Sequence, residues 1–313
     1  MPYSFDDELS PIASMLPPLD VRDVTAARAT LAAMGGPDAA PSPPPGVTAE
    51  WATVPGPPGA PDVKVLVMRP RKASGPLPAV LFMHGGGYVL GSAGTMQDMP
   101  ALLAGEAGVL VASVDYRLAP EHPYPAAPDD CYAALVWLAK EAATLGADPE
   151  RIAVAGTSAG AGIAAAVALM ARDRGGPPLC FQLLDSPMLD DSLTTSSARA
   201  FTGAPLWASS SNEDAWRHYL GARAGEPAPP YAAAARATDL TGLPPAFVAV
   251  ASYDPLRDEG IDYARRLTDA GVLTELVLYP GTFHGSSGAV REAAVSRRAR
   301  ADLVAAVVQG VAP

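Results

Sequence analysis

Short apolar runs recur along the chain, and stretches with helical spacing separate most of them. Runs such as residues 79–83 and 109–114 carry no charge, which is typical of strands buried on both faces of a sheet. Strands are predicted over residues 49–54, 63–68, 79–83, 109–114, 180–184, 246–251 and 274–278, and one more begins at residue 152. Helices are predicted near residues 96–107, 126–143, 163–171, 259–270 and 291–308. This alternation predicts an α/β fold with a mostly parallel sheet and helices on both faces, apart from an antiparallel hairpin at the first two strands.

Residues 1–46 carry no strand pattern and are predicted to form a helical segment outside the sheet. Apolar residues recur at helical spacing over residues 20–34, and Asp20 is the expected N-cap of that helix. The proline-rich run 41–46 then ends the helix. The apolar face consists of Val21, Val24, Ala27, Leu31 and Met34.

A second interruption separates the strand that ends near Asp185 from the one that begins at residue 246. Because a structureless loop of this length is uncommon in a compact domain, we predict an insertion over about residues 191–235, helical around residues 212–221. Residues 47–313 are therefore interpreted as one domain that contains this insertion. The insertion and the N-terminal segment are predicted to form a two-part helical cap over the carboxyl edge of the sheet.

The charge balance argues against some classes of binding partner. The chain has 22 Lys and Arg against 33 Asp and Glu, a net charge of −11, and no basic stretch, which argues against nucleic acid and anionic membranes as partners. The acidic N-terminus lacks a signal-peptide pattern, and the longest uncharged apolar run, residues 159–171, is shorter than the ~18–20 residues that span a bilayer. We expect a cytoplasmic protein with no membrane insertion, in which Cys131 and Cys180 are free buried thiols.

Ser158 lies at the apex of a predicted turn between a strand and an alanine-rich helix. The sequence Gly-Thr-Ser-Ala-Gly at residues 156–160 matches the nucleophile elbow, a sharp turn that raises a serine hydroxyl above the sheet. Side chains at residues 156 and 160 would collide with the neighbouring strand and helix, so we expect both positions to require glycine. The N-terminus of the following helix favours a developing negative charge.

A nucleophilic serine needs a base and a carboxylate that orients the base. Only two of the four histidines follow Ser158. His218 falls in the predicted cap helix and is expected to be solvated, so His284, in a glycine-flanked loop after the last strand, is the predicted base. Asp254 directly follows the penultimate strand and is the predicted orienting carboxylate. Its alternative role is a helix N-cap, and Asp258 is the second candidate for the carboxylate.

Backbone amides are the predicted donors to a tetrahedral oxyanion. One belongs to Ala159, and the others come from the glycine run at residues 85–87, which follows a buried strand and lets the backbone approach a substrate closely. The run lacks the Lys-Ser/Thr of a phosphate-binding loop. His84 is expected to fix the loop by hydrogen bonding. No His, Cys and carboxylate cluster has ligand spacing, so neither a metal nor a cofactor is implied.

Five sequence motifs occur in the same order as in a known protein family. They are His-Gly-Gly-Gly-Tyr (84–88), Asp-Tyr-Arg-Leu-Ala-Pro-Glu-His-Pro-Tyr-Pro-Ala (115–126), Gly-Thr-Ser-Ala-Gly (156–160), Asp-Pro-Leu-Arg-Asp-Glu-Gly (254–260) and His-Gly (284–285). Over about residues 48–310 the chain resembles the hormone-sensitive lipase family (bacterial family IV) of carboxylesterases, and most closely the branch with threonine before the nucleophile.

The resemblance implies an α/β-hydrolase fold with an eight-stranded sheet and a helical cap. It implies a serine carboxylesterase for small-molecule esters with short to medium acyl chains, with Ser158 as nucleophile, His284 as base and Asp254 as its partner. The oxyanion donors carried over by motif are Gly86, Gly87 and Ala159, with Gly85 as a further candidate. A homodimer through the last strand or the C-terminal helix is also implied, the helix offering Leu303, Val304, Val307 and Val308.

The resemblance further implies that Asp115, Arg117 and Glu121 are scaffold residues that position the loop under the site. Three departures from the family pattern bear on the substrate. Tyr88 stands where Trp or Phe is frequent, Ser286 stands where Phe is common, and Asp185-Ser186 stands where a strand usually ends with an aromatic residue. The sequence leaves open whether Asp185 faces the pocket. An amidase or formamidase with the same residues, and a ligand-binding protein without turnover, are the alternative functions.

Overall fold

The predicted strands form one eight-stranded sheet. The computed structural model of the chain describes residues 3–35, 43–73 and 75–313, and the strand order is β1-β2-β4-β3-β5-β6-β7-β8. The strands are β1 (Val47–Val54), β2 (Val63–Pro70), β3 (Leu77–Met83), β4 (Leu110–Asp115), β5 (Ala147–Thr157), β6 (Phe181–Asp185), β7 (Ala246–Tyr253) and β8 (Thr274–Phe283). The predicted α/β-hydrolase architecture is confirmed.

The direction of the strands follows the prediction. β1 and β2 form an antiparallel hairpin, and β2 also runs antiparallel to β4. All other neighbours are parallel, so the carboxyl ends of β3, β5, β6, β7 and β8 share one edge of the sheet. β8 extends to Phe283, five residues beyond the predicted end, and so carries the chain directly to His284.

Helices cover both faces of the sheet and bury two apolar layers. They are α1 (Ser10–Ala13), α2 (Val24–Gly35), α3 (Asp98–Leu102), α4 (Ala126–Glu141), α5 (Ala159–Asp173), α6 (Ser196–Ala200), α7 (Ser209–Leu220), α8 (Arg257–Asp269), α9 (Ser286–Ala289) and α10 (Ala294–Gly310). A π-helical turn, Leu103–Ala107, continues α3. α5 is buried from Ala159 to Ala171, because its small alanine side chains allow the helix to lie close against the sheet.

The N-terminal helix begins later than predicted. The carboxylate of Asp23 accepts a hydrogen bond from Ala26 N at 3.0 Å, so Asp23 and not Asp20 caps α2. Asp20 instead accepts from Arg22 N at 3.0 Å in the preceding turn. Val21 and Val24 are buried as expected. The side chain of Met34 and the first residues of the predicted linker, 41–42, lie outside the described part of the chain.

The N-terminal segment and the insertion are hydrogen-bonded to each other. Leu19 N donates to Leu206 O at 2.8 Å, and Ser211 Oγ donates to Leu19 O at 2.6 Å. His218 Nε2 contacts Val21 O at 3.0 Å, so the expectation that His218 is solvated was wrong: its partly buried ring is held against the N-terminal segment. α7 also begins at Ser209, three residues before the predicted start.

The C-terminal helix α10 buries part of its apolar surface against the sheet. Leu303 and Val307 are each 1% exposed and pack against the sheet, whereas Val308 is 47% exposed. Of the four apolar residues predicted there, two therefore belong to the core. Across the described ranges, none of the helices combines the length and apolar character required to cross a bilayer.

Substituting Gly310 tests the packing of α10 on β6. Alanine is usually better than glycine in a helix by about 1 kcal/mol, but a Cβ at Gly310 would lie under 3.0 Å from the Phe181 ring. We therefore expect Gly310→Ala to lower the free energy of unfolding by about 1–3 kcal/mol, measured by urea denaturation. Gly288→Ala in α9, where nothing lies within 4 Å of the added carbon, is the control and should leave the unfolding midpoint unchanged or slightly higher. Equal midpoints for both variants would contradict this account.

Candidate active site

Ser158 sits in a strained turn between β5 and α5. Its backbone has φ 57° and ψ −124°, a conformation that non-glycine residues rarely adopt. A Cβ on Gly156 would overlap the carbonyl of Gly160, and a Cβ on Gly160 would overlap the carbonyls of Met83 and His84 at the end of β3. The crowding expected from the sequence is thus present on both sides of the serine.

Three polar side chains from distant parts of the chain are hydrogen-bonded in a row. His284 Nε2 lies 2.9 Å from Ser158 Oγ, and His284 Nδ1 lies 2.7 Å from Asp254 Oδ2. The relative exposure of Ser158, Asp254 and His284 is 7%, 0% and 9%. Because an ionised carboxylate only accepts hydrogen bonds, Nδ1 carries the proton and Nε2 of the neutral ring is free to accept from the serine hydroxyl.

Asp254 lies in the turn before helix α8. Its second oxygen, Oδ1, accepts a hydrogen bond from Leu256 N at 2.9 Å, but α8 begins at Arg257 with Leu256 at the N-cap position and no side-chain cap, so the alternative role of Asp254 as a helix N-cap is not observed. Asp258, the second candidate for the orienting carboxylate, contacts other residues. It accepts from Ser197 N at 2.8 Å and from Arg257 Nε at 2.8 Å, which ties α6 to α8.

Two opposing effects set the basicity of His284. Burial favours the neutral ring and lowers its pKa, whereas the charge of Asp254, its hydrogen bond and the charge of Asp185 favour the imidazolium. The carboxylates outweigh burial, and the pKa of His284 is raised above its ordinary value. The imidazole is therefore well suited to accept a proton from a neighbouring hydroxyl.

The glycine run after β3 lies beside the serine. Gly86 and Gly87 have φ values of 117° and 59°, which turn the backbone in a way that side chains disfavour. Within the described residues, the N–H groups of Gly86, Gly87 and Ala159 donate to no protein acceptor. The indole of Trp207 lies over Gly87, where a Cβ would overlap it. The loop therefore presents backbone amides without a protein acceptor at the place where the Trp207 ring covers it.

His84 holds this loop from below, as expected. Its Nδ1 lies 2.7 Å from Gly85 O, Tyr116 Oη donates to His84 O at 2.7 Å, and the two rings stack with centroids 4.2 Å apart. Burial lowers the pKa of His84, so the ring is neutral and Nδ1–H donates to the loop carbonyl. Tyr88 Oη donates to Met188 O at 3.0 Å, a bond that Trp or Phe at this position would lack.

The scaffold residues make the contacts that support the loop. Asp115 Oδ1 accepts from Ala93 N at 2.9 Å, and Arg117 binds the buried carboxylate of Asp130 through two nitrogens. Sequence reasoning missed Arg28 of α2, which pairs with Glu121 at 2.7 Å and donates to Val89 O at 2.8 Å. Because these partners are more than 60 positions apart in sequence, no local pattern signals the contact.

Asp185 and Ser286, whose places the sequence left open, line a cavity of about 60 Å³ that also borders Ser158 and His284. Ser186 Oγ donates to Asp185 Oδ1 at 3.3 Å. Burial raises the pKa of Asp185 to about 6, against the opposing effect of His284. Among residues 3–35, 43–73 and 75–313, no three His, Cys, Asp or Glu side chains are grouped so that they could hold a metal ion.

Comparison with known proteins gives consistent matches. A family model described as alpha/beta hydrolase fold matches residues 80–287. Carboxylesterase NlhH of Mycobacterium tuberculosis is 45% identical over 229 residues, 72% of this chain and 72% of that protein. The solved structure of a bacterial heroin esterase has a TM-score of 0.95 at 44% identity and covers 99% of both chains. A thermostable esterase from Pseudomonas putida has a TM-score of 0.91 at 32% identity, covering 100% of this chain and 99% of that chain.

Removing the charge of Asp254 tests the electrostatic balance at His284. We expect Asp254→Asn to lower the pKa of His284, because burial remains while the principal opposing charge is lost. The measurement is an NMR titration of the imidazole resonances, assigned with a His284→Gln variant. Asp258→Asn is the control and should leave the His284 titration in place, since Asp258 is engaged with Ser197 and Arg257. An unchanged His284 titration in Asp254→Asn would contradict the account.

Proposed function

The chain belongs to the α/β hydrolase fold family, and we propose that it is a serine carboxylesterase in which Ser158 forms an acyl-enzyme. The observation that carries the proposal is the row of two hydrogen bonds from Asp254 through His284 to Ser158. The relatives named above are esterases, which favours ester hydrolysis over the amidase and non-catalytic alternatives. The chain is a carboxylic ester hydrolase, and its substrates are small esters with short to medium acyl chains.

In the acylation step, His284 Nε2 takes the proton of Ser158 Oγ as the oxygen attacks the ester carbonyl. Asp254 keeps the proton on Nδ1 and stabilises the imidazolium. The tetrahedral intermediate collapses when Nε2–H gives its proton to the leaving alcohol, and Ser158 is left esterified with the acyl group. Water then attacks the acyl-enzyme with His284 again as base, and the carboxylic acid and free serine are released.

The oxyanion of each tetrahedral intermediate is stabilised by the N–H groups of Gly86, Gly87 and Ala159, with Gly85 as a further candidate. Support comes from the absence of protein acceptors for the first three within the described residues and from the position of Ala159 at the N-terminus of α5. Each donor in such a site typically contributes about 2.7–4 kcal/mol of transition-state stabilisation. The helix dipole acts in the same direction.

Residues 1–46 and about 191–235 act as the cap of this site, over a hydrolase domain of residues 47–313. The hydrogen bonds between the two segments support this division. Trp207 lies over Gly87, and Leu206 lies near Gly285 beside the histidine. Covering the reaction centre with these apolar side chains excludes water and strengthens the electrostatic interactions within it.

Replacing Ser158 tests the proposed nucleophile. We expect Ser158→Ala to lower kcat/KM for p-nitrophenyl butyrate by roughly 10⁴–10⁶-fold and to abolish labelling by a fluorophosphonate probe, because no alkoxide can form. Thr53→Ala removes an exposed hydroxyl on β1, at the far edge of the sheet, and should match the wild type in both measurements. Hydrolysis and labelling that persist in Ser158→Ala would exclude the assignment.

The protein is further proposed to be a homodimer that pairs through β8. β8 is an edge strand, and Leu276 and Leu278 on it are 40% and 46% exposed. The N-terminal segment contacts only the end of β8, where Asp6 N donates to Gly281 O at 3.0 Å, and an edge strand with exposed leucines favours pairing with a second strand. A cytoplasmic location is consistent with the two cysteines, which are free.

The edge-strand interface is tested with a charge. We expect Leu278→Glu to convert the dimer to a monomer at micromolar concentration, measured by light scattering, because two buried carboxylates would face each other without partners. Trp51→Glu, an exposed position on the opposite edge strand β1, is the control and should remain dimeric. A wild-type protein that is monomeric at this concentration would exclude the interface.

A further inference from the structure

The cavity beside the reaction centre combines one carboxylate with several hydroxyl groups. Asp185 is its only carboxylate, and none of its lining residues is a Lys or Arg. The hydroxyl groups belong to Thr157, Ser158, Ser186, Tyr279, Thr282, Ser286, Ser287 and Ser296. The composition of the cavity therefore suits a small cationic group with hydrogen-bond donors.

Strand geometry explains why Asp185 faces this cavity. Asp185 pairs with Thr157 across β5 and β6, and Ser158 N donates to Asp185 O at 2.8 Å. Side chains alternate along a strand, so Asp185 points to the same face as Leu183, which packs in the layer that α10 covers. Neighbouring strands lie about 5 Å apart, which brings this carboxylate close to the reaction centre.

The cavity lies on the His284 side of Ser158. It is bordered by His284, Gly285 and Ser286, whereas none of the glycines that face the proposed oxyanion lines it. His284 is the group that protonates the departing alcohol in the proposed mechanism. A group in this cavity therefore belongs to the alcohol part of an ester and not to the acyl part.

The carboxylate of Asp185 forms no ion pair with any residue in the described ranges. Its one hydrogen bond comes from Ser186 Oγ at 3.3 Å. Arg300 on α10 is the basic residue whose charge reaches Asp185, but its guanidinium is paired with Asp98 at 2.6 Å. A partly buried carboxylate without a cation is uncommon, since burial of a charge is costly unless it is paired.

We propose that Asp185 and the cavity around it form a subsite for an ammonium group, so that the enzyme prefers esters whose alcohol carries a protonated amine two carbons from the ester oxygen. The inference rests on the proposed function, because it concerns the leaving group of that reaction. The volume of about 60 Å³ admits a small alkylammonium head. The subsite supplies one charge-assisted hydrogen bond from the ammonium to Asp185.

The test compares two isosteric esters, 2-(dimethylamino)ethyl butyrate and 3-methylbutyl butyrate. The first is protonated at pH 7.5 and the second is neutral, so the ratio of their kcat/KM values isolates the charge. We expect Asp185→Asn to lower this ratio by about 10–100-fold, since a hydrogen bond to a charged group is lost. The neutral ester reports separately any loss that follows from removing the Asp185 charge near His284. Asp62→Asn makes the same charge change at an exposed site of the β1–β2 turn and should leave the ratio unchanged.

Three outcomes separate this inference from the proposed function. An unchanged ratio in Asp185→Asn would overturn the subsite while ester hydrolysis remained. Equal losses for both esters would also overturn it, because Asp185 would then act through His284 on every substrate. A wild type that hydrolyses neither ester and resists the fluorophosphonate probe would refute the proposed function itself.

The pH dependence of the ratio in the wild-type enzyme provides a second test, with Asp185→Asn as its control. The pKa of Asp185 is about 6, so the carboxylate is protonated as the pH falls from 7.5 to 5, while the aliphatic amine remains protonated. The titratable and charged groups around Asp185 are His284, Asp254, Arg300 and Tyr279. Burial raises the pKa of Tyr279, so it stays neutral in this range, and ionisation of His284 affects both esters alike and cancels in the ratio. The ratio should fall through pH 6 in the wild type and stay flat in Asp185→Asn. A flat wild-type ratio would contradict the subsite.

Discussion

Close backbone packing at the elbow is the constraint on which the rest of the site depends. The end of β3, the end of β5 and the start of α5 approach so closely that Gly156 and Gly160 leave no room for a Cβ. Ser158 is therefore held at a positive φ, a strain on the order of 1–3 kcal/mol. The strain is maintained because α5 is buried along thirteen consecutive residues against the sheet. The burial of α5 against the sheet therefore holds the Ser158 hydroxyl group in one direction.

The same packing connects the elbow to the cap. A Cβ on Gly162 would overlap the carbonyl of Met188, and that carbonyl accepts the hydrogen bond from Tyr88 Oη. Tyr88 in turn stacks on Tyr219 of α7, with ring centroids 3.8 Å apart. The glycine loop and the cap helix are therefore held by one aromatic side chain that is anchored to the base of the elbow. A shift of α7 would move the loop amides as well.

Local patterns and chain order predicted much of this arrangement. The strand alternation, the elbow at Ser158 and the positions of Asp254 and His284 after strand ends follow from short stretches of sequence, because the parallel topology brings strand ends together. Features that depend on the path of the chain or on contacts distant in sequence were missed. Asp20 and Asp23 are both acceptable N-caps in sequence, and only the path of the chain into α2 selects Asp23. His218 was expected to be solvated, but its ring contacts the carbonyl of Val21, almost 200 positions away in sequence.

The two carboxylates near His284 have different consequences for catalysis. Asp254 is hydrogen-bonded to Nδ1 and, in the proposed mechanism, stabilises the imidazolium with any substrate, whereas Asp185 acts on the ring only through space. An ammonium group bound to Asp185 would neutralise that second charge and would itself oppose the imidazolium in the transition state. With the proposed subsite, a cationic ester would therefore gain ground-state binding and give up part of the transition-state stabilisation, so its advantage would lie in a lower KM and not in a higher kcat. A neutral ester leaves Asp185 ionised and retains the full effect of both carboxylates. The rates of the two classes, each measured alone, would consequently differ most at substrate concentrations below KM, where the rate depends on kcat/KM.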